Sequence, residues 1–259
     1  MRIWRYIKIN LLRLRSLNFY SKFLYKANDG DFKLPIESKN YQQDYIFRAK
    51  KYTMTSLERL WALTNSVEYV LNNNLDGDFV EVGVWKGGNL ILMDLLLQHY
   101  SVTNKAIYGF DTFSGMTKPG MFDRDLHGTP VDLLLNSNEK IEGDLSIHAW
   151  ASLETVINNL RANNVNKVKL IEGDVLTTLQ DKSNIPKSIS ILRLDTDWYE
   201  STKYELEQLY PLLVTGGVLI IDDYGHYLGA KQAVDEYFKK KRPFMHYIDY
   251  TGRLIIKNE

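Results

Sequence analysis

Cysteine is absent from the 259 residues. That removes disulfides, thiolate nucleophiles and cysteine-ligated zinc or iron–sulfur centres, so any bound metal must sit on oxygen or imidazole. Long apolar runs are missing too: no stretch approaches the roughly 18–20 uninterrupted apolar residues of a membrane-spanning helix. The N-terminus also lacks the apolar run closing on small residues that marks a secretory leader, and a cytoplasmic location is expected. Neither sign of charge is in excess, because 32 Lys and Arg face 32 Asp and Glu. No whole-molecule field therefore favours a nucleic-acid partner, and electrostatic specialisation has to be local. What is present, 44% hydrophobic residues, suffices for one large α/β domain with decorations.

Charge is concentrated at the start. Arg2, Arg5, Lys8, Arg13, Arg15, Lys22 and Lys26 precede the first acid, Asp29. Ile3, Trp4, Ile7, Leu11, Leu14 and Leu17 fall between them near helical spacing. Residues 1–28 can thus form a basic amphipathic helix that meets an anionic membrane surface, a partner chain or its own domain. Residues 29–50 show no clear period and read as a connecting arm, so 1–50 stands apart from a domain over 51–259.

Within that domain, 55–74 reads as a helix with Leu57, Leu60, Trp61, Val67, Val70 and Leu71 on its apolar face. Short apolar runs then alternate with helix-length segments: Asp78–Gly83, Ala106–Asp111, Val168–Glu172, Ile189–Asp195 and Gly217–Asp222. Such alternation predicts an α/β fold, a mostly parallel sheet with helices on both faces. Met245–Tyr250 and Arg253–Lys257, around a Thr-Gly turn, predict a C-terminal antiparallel hairpin at the sheet edge. Ligands of open parallel sheets bind beyond the carboxyl ends of the strands, so Glu81, Asp111, Asp174, Asp195, Asp222 and Asp223 should converge on one rim. Residues 117–150, rich in Gly, Pro, Asp, Asn and His, are too long for a plain connection and are expected to cover that rim as a lid.

Four strings carry chemistry. Phe79-Val-Glu81-Val-Gly83-Val84-Trp-Lys-Gly87-Gly88 runs from a strand through a glycine turn into a helix, where free backbone N–H groups can meet a nucleotide-like cofactor. Its spacing fits neither the dinucleotide fingerprint nor a P-loop. Gly109-Phe-Asp111-Thr-Phe-Ser114-Gly-Met puts an acid at the next strand end, where it can accept two ribose hydroxyls or steady a turn. Leu192-Arg-Leu-Asp195-Thr-Asp197-Trp-Tyr-Glu200-Ser-Thr and Gly216-Gly-Val-Leu-Ile-Ile-Asp222-Asp223-Tyr cluster carboxylates from two strand ends. Hard oxygen donors of this kind suit Mg²⁺ or another divalent cation.

Together with Thr53-Met54-Thr-Ser, these strings resemble the macrocin O-methyltransferase family, S-adenosylmethionine-dependent enzymes that methylate sugar hydroxyls. The resemblance spans about residues 50–240. It implies a Rossmann-like class I methyltransferase fold, with Met54, Glu81, Gly83, Val84, Gly87, Asp111, Ser114, Asp174 and Asp195 around the methyl donor. Glu81, Gly83 and Gly87 would line the methionine end, Asp111 the ribose and Asp174 the adenine side. It likewise implies a divalent metal on Asp195, Asp222 and Asp223. In the similar catechol O-methyltransferase layout a lysine follows the first metal aspartate by three residues. Here that place is Trp198, so the base is sought among Asp195, Asp197 and His226.

The expected partner is a small-molecule or glycan acceptor, and a homo-oligomer is compatible with the sequence. His127 and His148 fall in the lid, and Trp198, Tyr199, Phe122 and Trp150 can wall a sugar ring or pack as core. Two rival readings remain at this point: a metal-dependent glycosyltransferase using Asp195-Thr-Asp197, and a non-catalytic binding module that keeps the fold.

Overall fold

The computed structural model describes residues 34–259; the basic segment 1–28 lies outside the described residues. Helix α1 (Asn40–Lys50) occupies the second half of the stretch expected to be an arm. Its buried face is only Gln42, Ile46 and Ala49, an i, i+4, i+7 stripe too sparse to show through the mixed polarity around it. Helix α2 (Leu57–Asn72) follows, capped by Ser56, whose side chain accepts from the Arg59 N–H.

Five parallel strands then alternate with helices. They are β1 (Asp78–Val82), β2 (Ile107–Asp111), β3 (Val168–Glu172), β4 (Ile189–Leu194) and β5 (Leu213–Ile221). The helices are α3 (Gly88–His99), α4 (Val131–Asn136), α5 (Leu153–Ala162), α6 (Val175–Thr178), α7 (Tyr199–Leu209) and α8 (Leu228–Tyr237). Strands β6 (His246–Tyr247) and β7 (Arg253–Ile256) complete a sheet in the order β3-β2-β1-β4-β5-β7-β6. Strand β7 pairs antiparallel with β5, and β6 with β7. The expected hairpin is therefore present, with a first strand much shorter than Met245–Tyr250.

Strand periodicity sorts the core. Phe79, Ile107, Ile191, Val218 and Ile220 face one layer with α1, α2, α3 and α5. Val80, Val82, Phe110, Leu192, Leu194, Leu219 and Ile221 face the other, against α6, α7 and α8. Burial on both faces is why these strands read as continuous apolar runs. Two charged residues break the runs. Glu81 and Arg193 are register partners on adjacent strands β1 and β4, both fully buried and joined at 2.7 Å.

Candidate active site

The strand order reverses between β1 and β4, and the cleft opens at that switch point, beyond the carboxyl ends of the strands. It encloses about 1160 Å³ of empty space, its open mouth included.

On the β1–β2–β3 side the walls are backbone turns. Gly83 has φ +89, and a Cβ there would stand 1.9 Å from the Asp195 carbonyl oxygen. Only glycine lets the ends of β1 and β4 approach so closely. Gly87, also left-handed, is the N-cap of α3; it packs near Val156 and Leu160 and shapes the turn without lining the cleft. Asp111 clamps the turn: one oxygen accepts from the N–H groups of Val84 (2.7 Å) and Trp85 (3.0 Å), the other from Phe113 (2.8 Å). Burial pushes its carboxyl up, and these three backbone donors pull it back. It still lines the cleft, as do Met54, Val84 and Asp174. Asp174 also caps α6 by accepting from Leu176 N–H.

Two of the expected donor contacts stand elsewhere. Ser114 is exposed, and Thr112 and Gly115 line the cleft in its place. Glu81 lies behind the wall, held by Arg193 and by Asn89 at 2.8 Å. Burial pushes its carboxyl up to about 7. Glu81 Oε2 and Asn89 Oδ1 are buried acceptors without a donor among the described residues. A cationic ammonium at the methionine end of the donor would supply what they lack.

On the β4–β5 side the wall is charge. Asp195, Asp197 and Asp223 bring one oxygen each within 4.8 Å of one another. Burial is the main force raising all three above the usual carboxylate range, and mutual repulsion adds to it. Asp197, in the left-handed region at φ 67, is pushed up to about 7. Such a cluster fits a divalent cation held by hard oxygen donors.

Asp222, expected among the metal ligands, stands outside that triplet in the described structure, its oxygens engaged by Arg193 and Arg59. Burial pushes Asp222 up, and the two guanidiniums outweigh it, leaving the carboxyl below its ordinary value. Arg193 also holds Asp195 at 2.7 Å, and Thr55 Oγ1 accepts from it at 3.0 Å. Arg59 reaches Asp249 at 2.9 Å.

The acceptor side closes with residues outside the strings quoted from the sequence. Asp249 accepts from Ser56 Oγ, Thr251 N–H and Gly252 N–H, while Thr251 Oγ1 donates to the Asp222 carbonyl at 2.6 Å. This locked turn presents Tyr250 to the cleft, its hydroxyl 3.3 Å from His226 Nδ1. Burial lowers His226 to about 4, so it is neutral at pH 7 and a weak base.

Of the aromatics weighed as a sugar wall, Trp198 is buried and donates to Thr117 O at 3.1 Å. Tyr199 is buried against Phe122, and Trp150 donates to Phe113 O. The Trp, Phe and Tyr residues that line the cleft are Trp85, Phe110, Tyr227 and Tyr250. Neither His127 nor His148 lines it; Thr117, Ser146, Ile147 and Ala149 represent the 117–150 segment there. Asp123 ties that segment down by accepting from Tyr199 N–H at 2.8 Å, the start of α7.

The signal for Arg193 was visible as a charge inside an otherwise apolar strand. Arg59 and Tyr250 carried no comparable mark, since each acts across more than 160 residues of sequence or through a turn whose locking depends on tertiary contacts.

The comparisons agree with this geometry. The family model described as macrocin-O-methyltransferase (TylF) matches residues 17–255. The demethyldecarbamoylnovobiocin O-methyltransferase of Streptomyces niveus is 34% identical over 194 residues, 74% of this chain and 70% of that protein. The mycinamicin III 3''-O-methyltransferase of Micromonospora griseorubida is 31% identical over 203 residues, 78% of this chain and 75% of that protein. The structure of the O-methyltransferase NovP aligns with TM-score 0.68 and 30% identity, over 80% of this chain and 83% of that one. A glycine turn beside a strand-end acid, a carboxylate cluster across the switch point and these relatives lead to one assignment. The chain belongs to the macrocin-O-methyltransferase family and is an S-adenosylmethionine-dependent O-methyltransferase.

Proposed function

We propose that the acceptor is a sugar hydroxyl of a glycosylated metabolite or polysaccharide, held beside the methyl donor by a divalent cation such as Mg²⁺ on Asp195 and Asp223. The observation that carries this reading is the carboxylate triplet within 4.8 Å, opposite the Gly83–Asp111 turn in one cleft. Relatives whose names place the methyl on a glycosidic metabolite support the sugar. When bound, the donor supplies an electrophilic methyl group and the cation acidifies the hydroxyl.

The chain's own residues do the rest. Asp111 and the Val84–Trp85 turn hold the donor's ribose end, Asp174 the adenine end, and Asn89, backed by Glu81 behind the wall, the ammonium. Asp195, fixed by Arg193, orients the hydroxyl against the methyl. Asp197, beside Asp195 and Asp223 in the same cluster, accepts its proton. Ile147, Ala149 and Tyr227 shut water out, with residues 117–150 acting as the lid.

Calorimetry of the donor, followed by methyl transfer to a panel of deoxyhexosides with Mg²⁺ or EDTA, tests the reading. Binding of S-adenosylmethionine and EDTA-sensitive methylation of a sugar are expected. Metal-independent methylation of phenols alone would sink both the sugar and the cation. Asp197→Asn should stop turnover while metal affinity persists, and loss of metal affinity would move Asp197 from base to ligand.

A further inference from the structure

Although neutral overall, the chain is electrically lopsided. Residues 1–28 and Lys239-Lys240-Lys241-Arg242 hold 11 of the 32 cations and no acid; the other 227 residues hold 21 cations against all 32 acids. The described residues begin beside the second of these stretches. Pro35, at the start of the described residues, and His246 line the same groove between α2 and the β7–β6 edge. The basic tetrad runs from the end of α8 toward β6, four residues before His246.

Lys239, Lys240, Lys241 and Arg242 are all exposed. Lys241 pairs with Glu259, and Arg242 with Asp235 at 3.2 Å; both pairs are solvent-facing and screened. Beside them large apolar side chains stand in water: Phe244 is 82% exposed, Tyr247 58%, and Ile36 wholly so.

We propose that this corner docks the protein on an anionic membrane surface, with lipid headgroups on the cations and Phe244 at the headgroup–acyl boundary. Clustered Lys and Arg gain about fivefold in partitioning per residue at such a surface, and an exposed aromatic gains by leaving water there. Ile36 and Phe244 would gain nothing comparable from a nucleic-acid backbone. Orientation fits as well. Helix α8 starts next to the cleft residue Tyr227 and ends at the tetrad, about 15 Å away at its rise per residue, so a docked molecule keeps its mouth open.

Co-sedimentation of the full chain with vesicles of phosphatidylcholine, with and without about 30% phosphatidylserine, reads this out. Binding is expected only with phosphatidylserine and should fade as salt rises from about 0.1 to 0.5 M. Substituting Lys239, Lys240 and Lys241 together by Ala should weaken it roughly 100-fold. Phe244→Ser should weaken it several-fold with the salt dependence unchanged. Both variants should still bind S-adenosylmethionine like the parent, which shows that they fold. Absence of phosphatidylserine-dependent binding overturns the proposal. So does a triple variant that binds like the parent, which would leave the attraction to residues 1–28 alone. Tighter binding to a short RNA than to the vesicles at equal salt would replace the membrane with nucleic acid.

Discussion

Around Gly83, Asp111 and Asp174 the rim of the cleft is made of backbone, whereas around Asp195, Asp222 and Asp223 it is made of charge. The donor half satisfies its aspartates locally: Asp111 takes three N–H groups and Asp174 caps a helix. The acceptor half needs two buried arginines, Arg59 and Arg193, to hold Glu81, Asp195, Asp222 and Asp249 in place. A backbone turn is complete before any ligand arrives. A carboxylate cluster with raised proton affinities is complete only when a cation or protons neutralise it.

The sharpest way to separate the halves is Asp195→Asn. Turnover should fall by about 10³-fold or more, as when a group acting on the reacting oxygen is lost, while donor affinity measured by calorimetry changes little. A parallel collapse of donor affinity would show that the two halves are one unit. Arg193→Met should come next, because it strands several buried carboxylates. A loss of about 3–5 kcal/mol in denaturant unfolding is expected, and a stability like the parent's would mean those carboxylates are already protonated. Gly83→Ala strikes the seam between the halves, because its Cβ would stand 1.9 Å from the Asp195 carbonyl oxygen; donor affinity should drop at least tenfold, and metal affinity should fall with it.

Smaller effects follow from single groups. Glu205 is fully buried, accepts from Thr196 Oγ1 at 2.7 Å, and leaves Oε2 without a partner among the described residues. Burial raises it to about 8, above its unfolded value of about 4.3. The native state therefore keeps a proton that the unfolded chain has released, and stability should fall as pH rises from about 4.3 to 8. In Glu205→Gln that part of the slope, at most one proton, should vanish from unfolding curves taken across the range. Tyr250→Phe should give the least: a KM for the sugar raised a few-fold, with kcat and donor affinity held.

The same division explains what the sequence showed. The glycine turn, the strand-end acids and the alternation of strands and helices are local patterns, and each fell within a few residues of its observed place. Helix α1 escaped because only three of its eleven residues are buried. Asp222 was read from its position beside Asp223; its ion pairs with Arg59 and Arg193, which reach it from α2 and from the neighbouring strand, were not legible there. Ser114 sits within a matching string yet points outward, since the left-handed turn at Phe113 and Gly115 rotates the chain between them. Where backbone defines the site the string is sufficient, and where charge defines it the partners are distant.

Asp249 ends this account of distant partners with a practical corollary. Ser56, Arg59, Thr251 and Gly252 all anchor on that one carboxylate, so the four-residue turn that carries Tyr250 behaves as a plug seated in a socket. A plug of this kind is a natural cassette: exchanging Tyr250 within an intact Asp249–Gly252 frame should change kcat/KM across a panel of sugar acceptors and leave donor affinity as in the parent.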